Sequence, residues 1–291
     1  MSRVLILGGT GMLGHRMAMV LAVEHEVAVT VRSHADRVPW GASVRTIAGC
    51  DLRDVEAAAA FIDRGEWDVV INAAGVIKQR DGQHDAAETV AVNALLPQRL
   101  AVACARAGVR FVHFSTDCVF SGTLQSERGA NGYRLEDPTD ARDFYGLSKL
   151  LGEPRQPHTL CLRMSLIGPE LRGHHGLLDW YLHRSGARVG GFTRAWFNGL
   201  TTPVASRLVA YVLQHCPDLE GLWHVGSEAI SKHDLLCAVR ARFGRGGEIH
   251  EDDAFYCDRR LDATAFVQRT GWQAPGWDEM LDELACIGVA P

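Results

Sequence analysis

Residues 3–14 read Arg3-Val4-Leu5-Ile6-Leu7-Gly8-Gly9-Thr10-Gly11-Met12-Leu13-Gly14. Four consecutive aliphatic residues without polar alternation describe a strand buried on both faces, as parallel sheets require. The glycines that follow open a helical stretch, Met12 to Val23. In that setting a glycine-rich turn brings backbone N–H groups against a pyrophosphate. Gly8 allows the tight turn, Gly11 the close approach of a phosphate and Gly14 the close packing of helix on strand. Thr10, Met12 and Leu13 complete the candidate cofactor contacts. An ordinary glycine turn is the bland alternative, and the strand and helix on either side weigh against it.

Outward from this turn the apolar pattern alternates between short β-rich runs and longer helical stretches, which predicts a doubly wound parallel α/β sheet of the Rossmann type. Strands are predicted at Arg3–Leu7, Glu26–Val31, Val44–Ala48, Asp68–Ala73, Val109–Ser115 and Thr159–Ser165. Helices are predicted at Met12–Val23, Val55–Arg64, Asp85–Ala107 and Phe144–Gly152, with Gly108 as a C-terminal stop. After Ser165 the pattern loosens. It gives a helix at Gly176–His183, extended pieces at Arg188–Phe192 and Ala195–Asn198, and a helix starting near Thr202. A strand at Leu222–Gly226 and helices at Ser231–Phe243 and Asp278–Ile287 follow. The expected organisation is a dinucleotide-binding unit over 1–165 and a smaller α/β substrate lobe over 166–291, some of whose segments return to the main sheet. Gln125–Arg142, rich in Gly, Asp, Glu and Arg, reads as a mobile loop.

The 291 residues suffice for one large domain or one with a smaller companion. With 47% hydrophobic and 22% charged residues the chain has ordinary globular composition. Lys+Arg of 30 against Asp+Glu of 35 gives a formal charge of -5, the wrong sign for a protein that neutralises a phosphate backbone, so nucleic acid is not an expected partner. The eight cysteines form no C-x-x-C pair, and neither a zinc site nor a disulfide framework follows. No apolar run reaches membrane-spanning length, and the glycines at 8–14 interrupt what would otherwise pass for a signal peptide. A soluble, reduced, cytoplasmic protein with no metal is expected.

The tip of the second strand reads Thr30-Val31-Arg32-Ser33. An acidic residue there would bond a ribose 2′-hydroxyl, whereas a basic one receives a 2′-phosphate. Arg32, with Ser33 beside it, Arg37 close by and no carboxylate until Asp36, favours NADP(H) over NAD(H), and a merely solvated Arg32 would leave the preference undecided. Tyr145-Gly-Leu-Ser-Lys149 places a phenol and an ammonium one helical turn apart on the same face. A cation there would favour phenolate and lower the phenol pKa toward a value useful for proton transfer. With lysines only at 78, 149 and 232, coincidence at this spacing is rare. The fifth strand ends Ser115-Thr116-Asp117-Cys118-Val119-Phe120, at the carboxyl edge where open α/β sheets bind ligands, and a hydroxyl there can polarise a carbonyl.

Together the glycine turn, Asn72-Ala-Ala-Gly75, the hydroxyl-bearing strand end and Tyr145/Lys149 resemble the extended short-chain dehydrogenase/reductases. More narrowly, STDCVFSG, YGLSKLLGE and LRMSLIGPEL are similar to the dTDP-4-dehydrorhamnose reductase family, densely over residues 1–170 and more thinly afterwards. The resemblance implies a reductase of a nucleotide-linked 4-keto-6-deoxy sugar. Tyr145 would give a proton to the keto oxygen, NADPH a hydride to the same carbon, Lys149 would hold the nicotinamide ribose and Thr116 would orient the carbonyl. It also implies that Asp51 and Leu52 meet the adenine, that Ala73, Ala74 and Gly75 pass beneath the cofactor, and that Asn93 joins the cofactor contacts. Val76 and Asp117 fall on the substrate side.

The chain departs from that family at Cys118, where an aromatic residue is usual. Related GDP-fucose synthases have a cysteine there, paired with a histidine in the following lobe, and His175 falls about where that histidine would lie. A thiol and an imidazole that titrate near neutrality would permit epimerisation beside the ketone; buried packing for Cys118 and a surface loop for His175 is the bland reading. Asn198 and Arg260 are polar candidates for sugar or diphosphate, and Met164, with Ser165, is a candidate for the nicotinamide pocket or the core. Trp180, Tyr181, Trp196 and Phe197 could stack on a base, although core packing is the commoner role of such residues. A non-catalytic NADP-binding subunit stays open as a second class, because the β subunit of methionine adenosyltransferase resembles the same family. A dehydratase or epimerase that uses Asp117 is a third reading. Dimerisation through the long helices is common in the superfamily, but Asp85–Ala107 reads equally well as a helix covering the sheet, so a homodimer is not decided.

Overall fold

The structure is a computed structural model that describes residues 1–33, 38–63, 66–77, 85–123 and 131–288. Asp36, Arg37 and the 125–130 part of the expected mobile loop lie outside the described residues. In chain order the first half comprises β1 (Arg3–Leu7), α1 (Gly14–Leu21), β2 (Glu26–Val31), β3 (Val44–Ala48), α2 (Val55–Asp63), β4 (Val69–Asn72) and α3 (Ala86–Val90). A π-helical turn (Ala91–Leu95), α4 (Leu96–Ala107), β5 (Arg110–Ser115), a 3-10 turn (Asp117–Val119), α5 (Phe144–Leu151) and β6 (Thr159–Arg163) follow. The second half adds β7 (Leu166–Ile167), α6 (Leu177–Leu182), β8 (Arg188–Phe197), β9 (Leu200–Thr201), α7 (Thr202–His215), β10 (Gly221–His224) and β11 (Ile230–Ser231). It ends with α8 (Lys232–Phe243), β12 (Glu248–Asp258), α9 (Thr264–Thr270) and α10 (Trp277–Ile287).

Seven parallel strands form the main sheet in the order β10-β6-β5-β4-β1-β2-β3. Successive side chains of a strand point to opposite faces, and β1 shows the result. Val4 and Ile6 enter one core, with α1 and α7, while Leu5 and Leu7 enter the other, with α2 and α4. All four are fully buried. The strand order reverses between β1 and β4, so Gly8 and Ala73 leave neighbouring strands at the carboxyl edge, in the crevice where doubly wound sheets take ligands.

The seventh strand, β10, comes from the second half of the chain and pairs with β6 through Gly221–His224 against Leu160–Arg163. The expected extended pieces at 188–192 and 195–198 are one strand, β8, at the centre of a smaller sheet of order β11-β8-β12. The structure adds β12 and α9, which the apolar pattern does not announce. The expected single helix over 85–107 is interrupted by the π turn, and Gly108, with φ of 67°, caps its end as anticipated. The described remainder of the glycine-rich loop is anchored rather than loose. Tyr133 is 2% exposed, stacks on Phe120 with ring centroids 4.0 Å apart, and exchanges backbone hydrogen bonds with Arg260 and Asp262. Among the described residues no helix is long and apolar enough to cross a membrane.

Candidate active site

The turn after β1 has the features a dinucleotide pyrophosphate needs. Gly8 has φ of 84°, in the left-handed region that favours glycine, and a Cβ there would press on the Ala74 backbone at 2.9 Å. A Cβ at Gly14 would run into the Gly8 carbonyl. Gly9 N–H donates to the Thr30 carbonyl and Gly11 N–H to the Gly8 carbonyl, but the amides of Thr10, Met12 and Leu13 have no acceptor among the described residues. Unpaired amides at the start of α1 fit an anion. Arg32 and Ser33 are exposed at the tip of β2. Asp51 is forked by Arg53, with Nε 2.9 Å from Oδ1, which holds its carboxyl below the usual range. Leu52 packs against the core on that face.

The opposite wall of the crevice is fixed by Asn93, at the centre of the π turn. Its Oδ1 accepts from Val76 N–H at 2.8 Å, and its Nδ2 donates to the Val76 carbonyl at 2.9 Å and to Ser148 Oγ at 3.1 Å. One buried amide thus ties the Ala73–Val76 segment to α5. A π insertion reorients a side chain that an unbroken helix would aim elsewhere. Ala74 N–H is held by Asn72 Oδ1 at 3.2 Å.

Thr116 stands in extended backbone before the 3-10 turn, where its Oγ1 accepts from Cys118 N–H and donates to Asp117 Oδ1, both at 3.1 Å. Helix α5 begins at the Asp143 cap, which accepts Gly146 N–H at 2.8 Å. Gly146 faces the Cys118 carbonyl so closely that a Cβ would collide with it. That approach brings Tyr145 up to Thr116, Asp117 and Cys118, all of which act on its phenol. Lys149, one turn on, is 6% exposed and donates Nζ–H to the Phe114 carbonyl at 2.7 Å.

The expected tuning of Tyr145 by Lys149 is corrected here. Burial is the largest influence on the phenol and raises its pKa, the Thr116 hydroxyl pulling the other way. The ammonium is engaged with a carbonyl, and burial lowers it to about 8. The phenol therefore stays protonated throughout the neutral range.

The expected partnership of Cys118 and His175 across a sugar is corrected in one respect, the ionisation of the thiol. Burial, then Asp117, pushes the Cys118 thiol up to about 12, against the expectation of titration near neutrality. Its contacts are with the first turn of α5 and with Arg259, whose Nη1 lies 3.5 Å from Sγ. His175 donates its backbone N–H to Glu170 at 2.8 Å.

Three of the substrate candidates are occupied structurally. Asn198 clamps Leu261, accepting from its N–H at 3.0 Å and donating to its carbonyl at 2.9 Å. Arg260 forks Asp258, with Nη2 2.6 Å from Oδ2. Met164 is 2% exposed within the core, and Tyr181 and Phe197 are likewise core. Trp180 packs against that core, while Trp196 is exposed under the Arg260 guanidinium.

Two cations that sequence reasoning missed face the site. Arg259 reaches Cys118 and the Phe120 carbonyl, the latter at 2.8 Å. Lys232 opens α8 with its Nζ 3.8 Å from the Phe197 ring centroid, in the field of Asp117, Cys118 and Arg259. The Arg259-Arg260 pair was a usable signal, since two adjacent arginines offer a second guanidinium when one is held by Asp258. Beneath them Arg163 and Glu153 form a buried fork of 2.7 and 2.8 Å, completed by Ser115 Oγ–H donating to Glu153 at 2.6 Å.

The family model of the RmlD substrate binding domain matches residues 2–188. Over 151 residues the chain is 35% identical to the dTDP-4-dehydrorhamnose reductase of Burkholderia thailandensis, covering 52% of this chain and 44% of that protein. The match therefore spans less than half of that relative. The chain is 29% identical over 247 residues to the probable low-salt glycan biosynthesis reductase Agl14 of Haloferax volcanii, covering 80% of this chain and 79% of that one. In fold it is similar to the dTDP-4-dehydrorhamnose reductase of Bacillus anthracis solved in complex with NADP, with a TM-score of 0.78 at 16% identity over 99% of this chain and 100% of the other.

Proposed function

Because the chain belongs to the RmlD substrate binding domain family, we propose that it is an NADPH-dependent reductase acting on the 4-keto group of a nucleotide-linked 6-deoxy sugar. The convergence of Thr116, Tyr145 and Lys149 beside the unpaired amides of the glycine turn carries this reading. The dinucleotide, when bound, supplies a hydride to the keto carbon. The chain's own residues bind, orient and protonate. Tyr145, kept protonated by burial, gives its phenolic proton to the keto oxygen. Thr116, its oxygen held by the Cys118 amide, turns its hydroxyl proton from Asp117 to that oxygen and orients it.

Gly8, Thr10, Gly11, Met12, Leu13 and Gly14 hold the pyrophosphate, and Arg32 with Ser33 meets a 2′-phosphate. Asp51 and Leu52 flank the adenine, and Ala73, Ala74 and Gly75, braced by Asn93, support the nicotinamide side, where Lys149 holds the ribose. NAD(H) is the alternative dinucleotide. Arg259 and Lys232, rather than Arg260, are the cations suited to a substrate diphosphate, which favours a nucleotide sugar over a free ketose.

NADPH oxidation in heavy water with dTDP-, UDP- and GDP-linked 4-keto-6-deoxyhexoses tests the reading. Turnover without carbon-bound deuterium is expected, as is a loss on the order of 10³-fold in Tyr145→Phe with NADPH binding retained. Near wild-type turnover in that variant removes the mechanism. Tight NADPH binding without turnover of any sugar removes the substrate class and favours a regulatory subunit.

A further inference from the structure

The short loop before α6 gathers a second set of chemically competent groups. His174, Asp179 and His183 bring one imidazole nitrogen each and a carboxylate oxygen within 4.8 Å of one another. The imidazoles overlap, with ring centroids 3.5 Å apart and planes inclined by 31°. Asp179 is 1% exposed, yet it lies one helical turn from His183 on the same face. Its Oδ2 accepts Glu170 N–H at 2.7 Å, which fixes the carboxylate, and Glu170 in turn accepts His175 N–H at 2.8 Å, which fixes the loop carrying His174.

The tautomer of His183 is also set. Nδ1 lies 2.7 Å from the Asp179 carbonyl oxygen, an acceptor only, so Nδ1 carries the proton and Nε2 keeps its lone pair. A ring nitrogen donating to a backbone carbonyl while the other is left basic is the arrangement that orients metal-ligating histidines.

We infer that His174, Asp179 and His183 form a binding site for a divalent transition-metal cation of the zinc class, pinning the 170–176 loop to α6. Two imidazoles and one carboxylate with an open, solvent-facing fourth position suit Zn²⁺, and Co²⁺ as its spectroscopic substitute. Ligands at about 2.0–2.1 Å from zinc stand roughly 3.4 Å apart, so His174, exposed on its loop, needs a displacement of about 1 Å. The sequence hides the set because His-x4-Asp-x3-His matches no common zinc spacing. None of the three residues belongs to the Thr116–Tyr145–Lys149 constellation, and the site holds or falls independently of the reductase reading.

The test is a Co²⁺ titration of chelator-treated full-length protein, read by visible d–d absorption, with Zn²⁺ competition and thermal melting with and without Zn²⁺. One equivalent of Co²⁺ with tetrahedral absorption at micromolar concentration, displaced by Zn²⁺, is expected. His174→Gln and His183→Gln should each weaken binding by about tenfold or more and abolish the zinc-dependent rise in melting temperature. Metal-free melting of His174→Gln should match wild type, since the substitution is on an exposed loop. His250→Gln, elsewhere on the surface, should bind like wild type. Absence of stoichiometric binding, wild-type affinity in the two site variants, or an equal loss in His250→Gln would overturn the inference.

Discussion

Replacing Lys149 by methionine separates what the site costs the fold from what it contributes to chemistry. The ammonium is 6% exposed, and its hydrogen bond goes to the Phe114 carbonyl. Burial, only partly offset by Cys161 and Glu153, lowers it from 10.5 to about 8. A cation whose folded pKa lies below its unfolded value burdens the folded state wherever both states are protonated, here below about pH 8. The burden lifts as pH rises toward 10.5. At about 1.36 kcal/mol per pH unit, the full burden is ~3 kcal/mol.

Methionine removes it but strands the Phe114 carbonyl, at a cost of about 1–3 kcal/mol, so the two proteins should be nearly equal in stability at neutral pH. The pH dependence is not subject to that cancellation. Wild type should gain about 2 kcal/mol relative to Lys149→Met between pH 7 and about pH 9.5. Urea unfolding of both proteins at the two pH values measures the difference directly. A constant difference would refute burial as the origin of the low pKa. Turnover should be largely lost in the variant, and in wild type should decline as pH rises through about 8, where the ammonium deprotonates.

Glu153→Ala should leave the Arg163 guanidinium buried without its partner and cost about 3–5 kcal/mol, lowering the melting temperature by roughly 10 °C. A loss below about 1 kcal/mol in calorimetry would show the fork to be replaceable by water. Arg32→Ala should weaken NADPH about tenfold and NADH little, read by fluorescence titration. Equal losses for the two would mean that Arg32 acts only through its general positive field.

The first half of the fold is legible because buried parallel strands leave nothing but aliphatic runs: β1, β2 and β3 match their predicted bounds. The π turn is not legible. Asp85–Ala107 has continuous helical composition, and the insertion depends on Asn93 finding Val76 and Ser148, partners distant in sequence. β12 is masked by its own charges, since Glu248–Asp258 is an edge strand with several exposed positions and reads as a solvated run. At the site, residue types and spacing place Thr116, Tyr145 and Lys149 together, but ionisation states follow burial, which spacing does not encode. Hence Tyr145 and Cys118 are both raised where lowering or neutrality is expected. The choice between Arg259 and Arg260 turns on contacts made just past β12, where Arg260 folds back on Asp258 and Arg259 reaches the Phe120 carbonyl.

The late arrival of β10 has a consequence for biosynthesis. Until residues 221–224 leave the ribosome, β6 presents a bare row of backbone donors and acceptors along a finished six-strand platform. The chain that closes this edge is made some sixty residues after the edge itself, a contact of high order that forms slowly. During that interval the nascent protein is a template for β-pairing with its own copies. A fragment stopped at residue 165 would keep this defect permanently, and its solubility would suffer even with the first six strands complete.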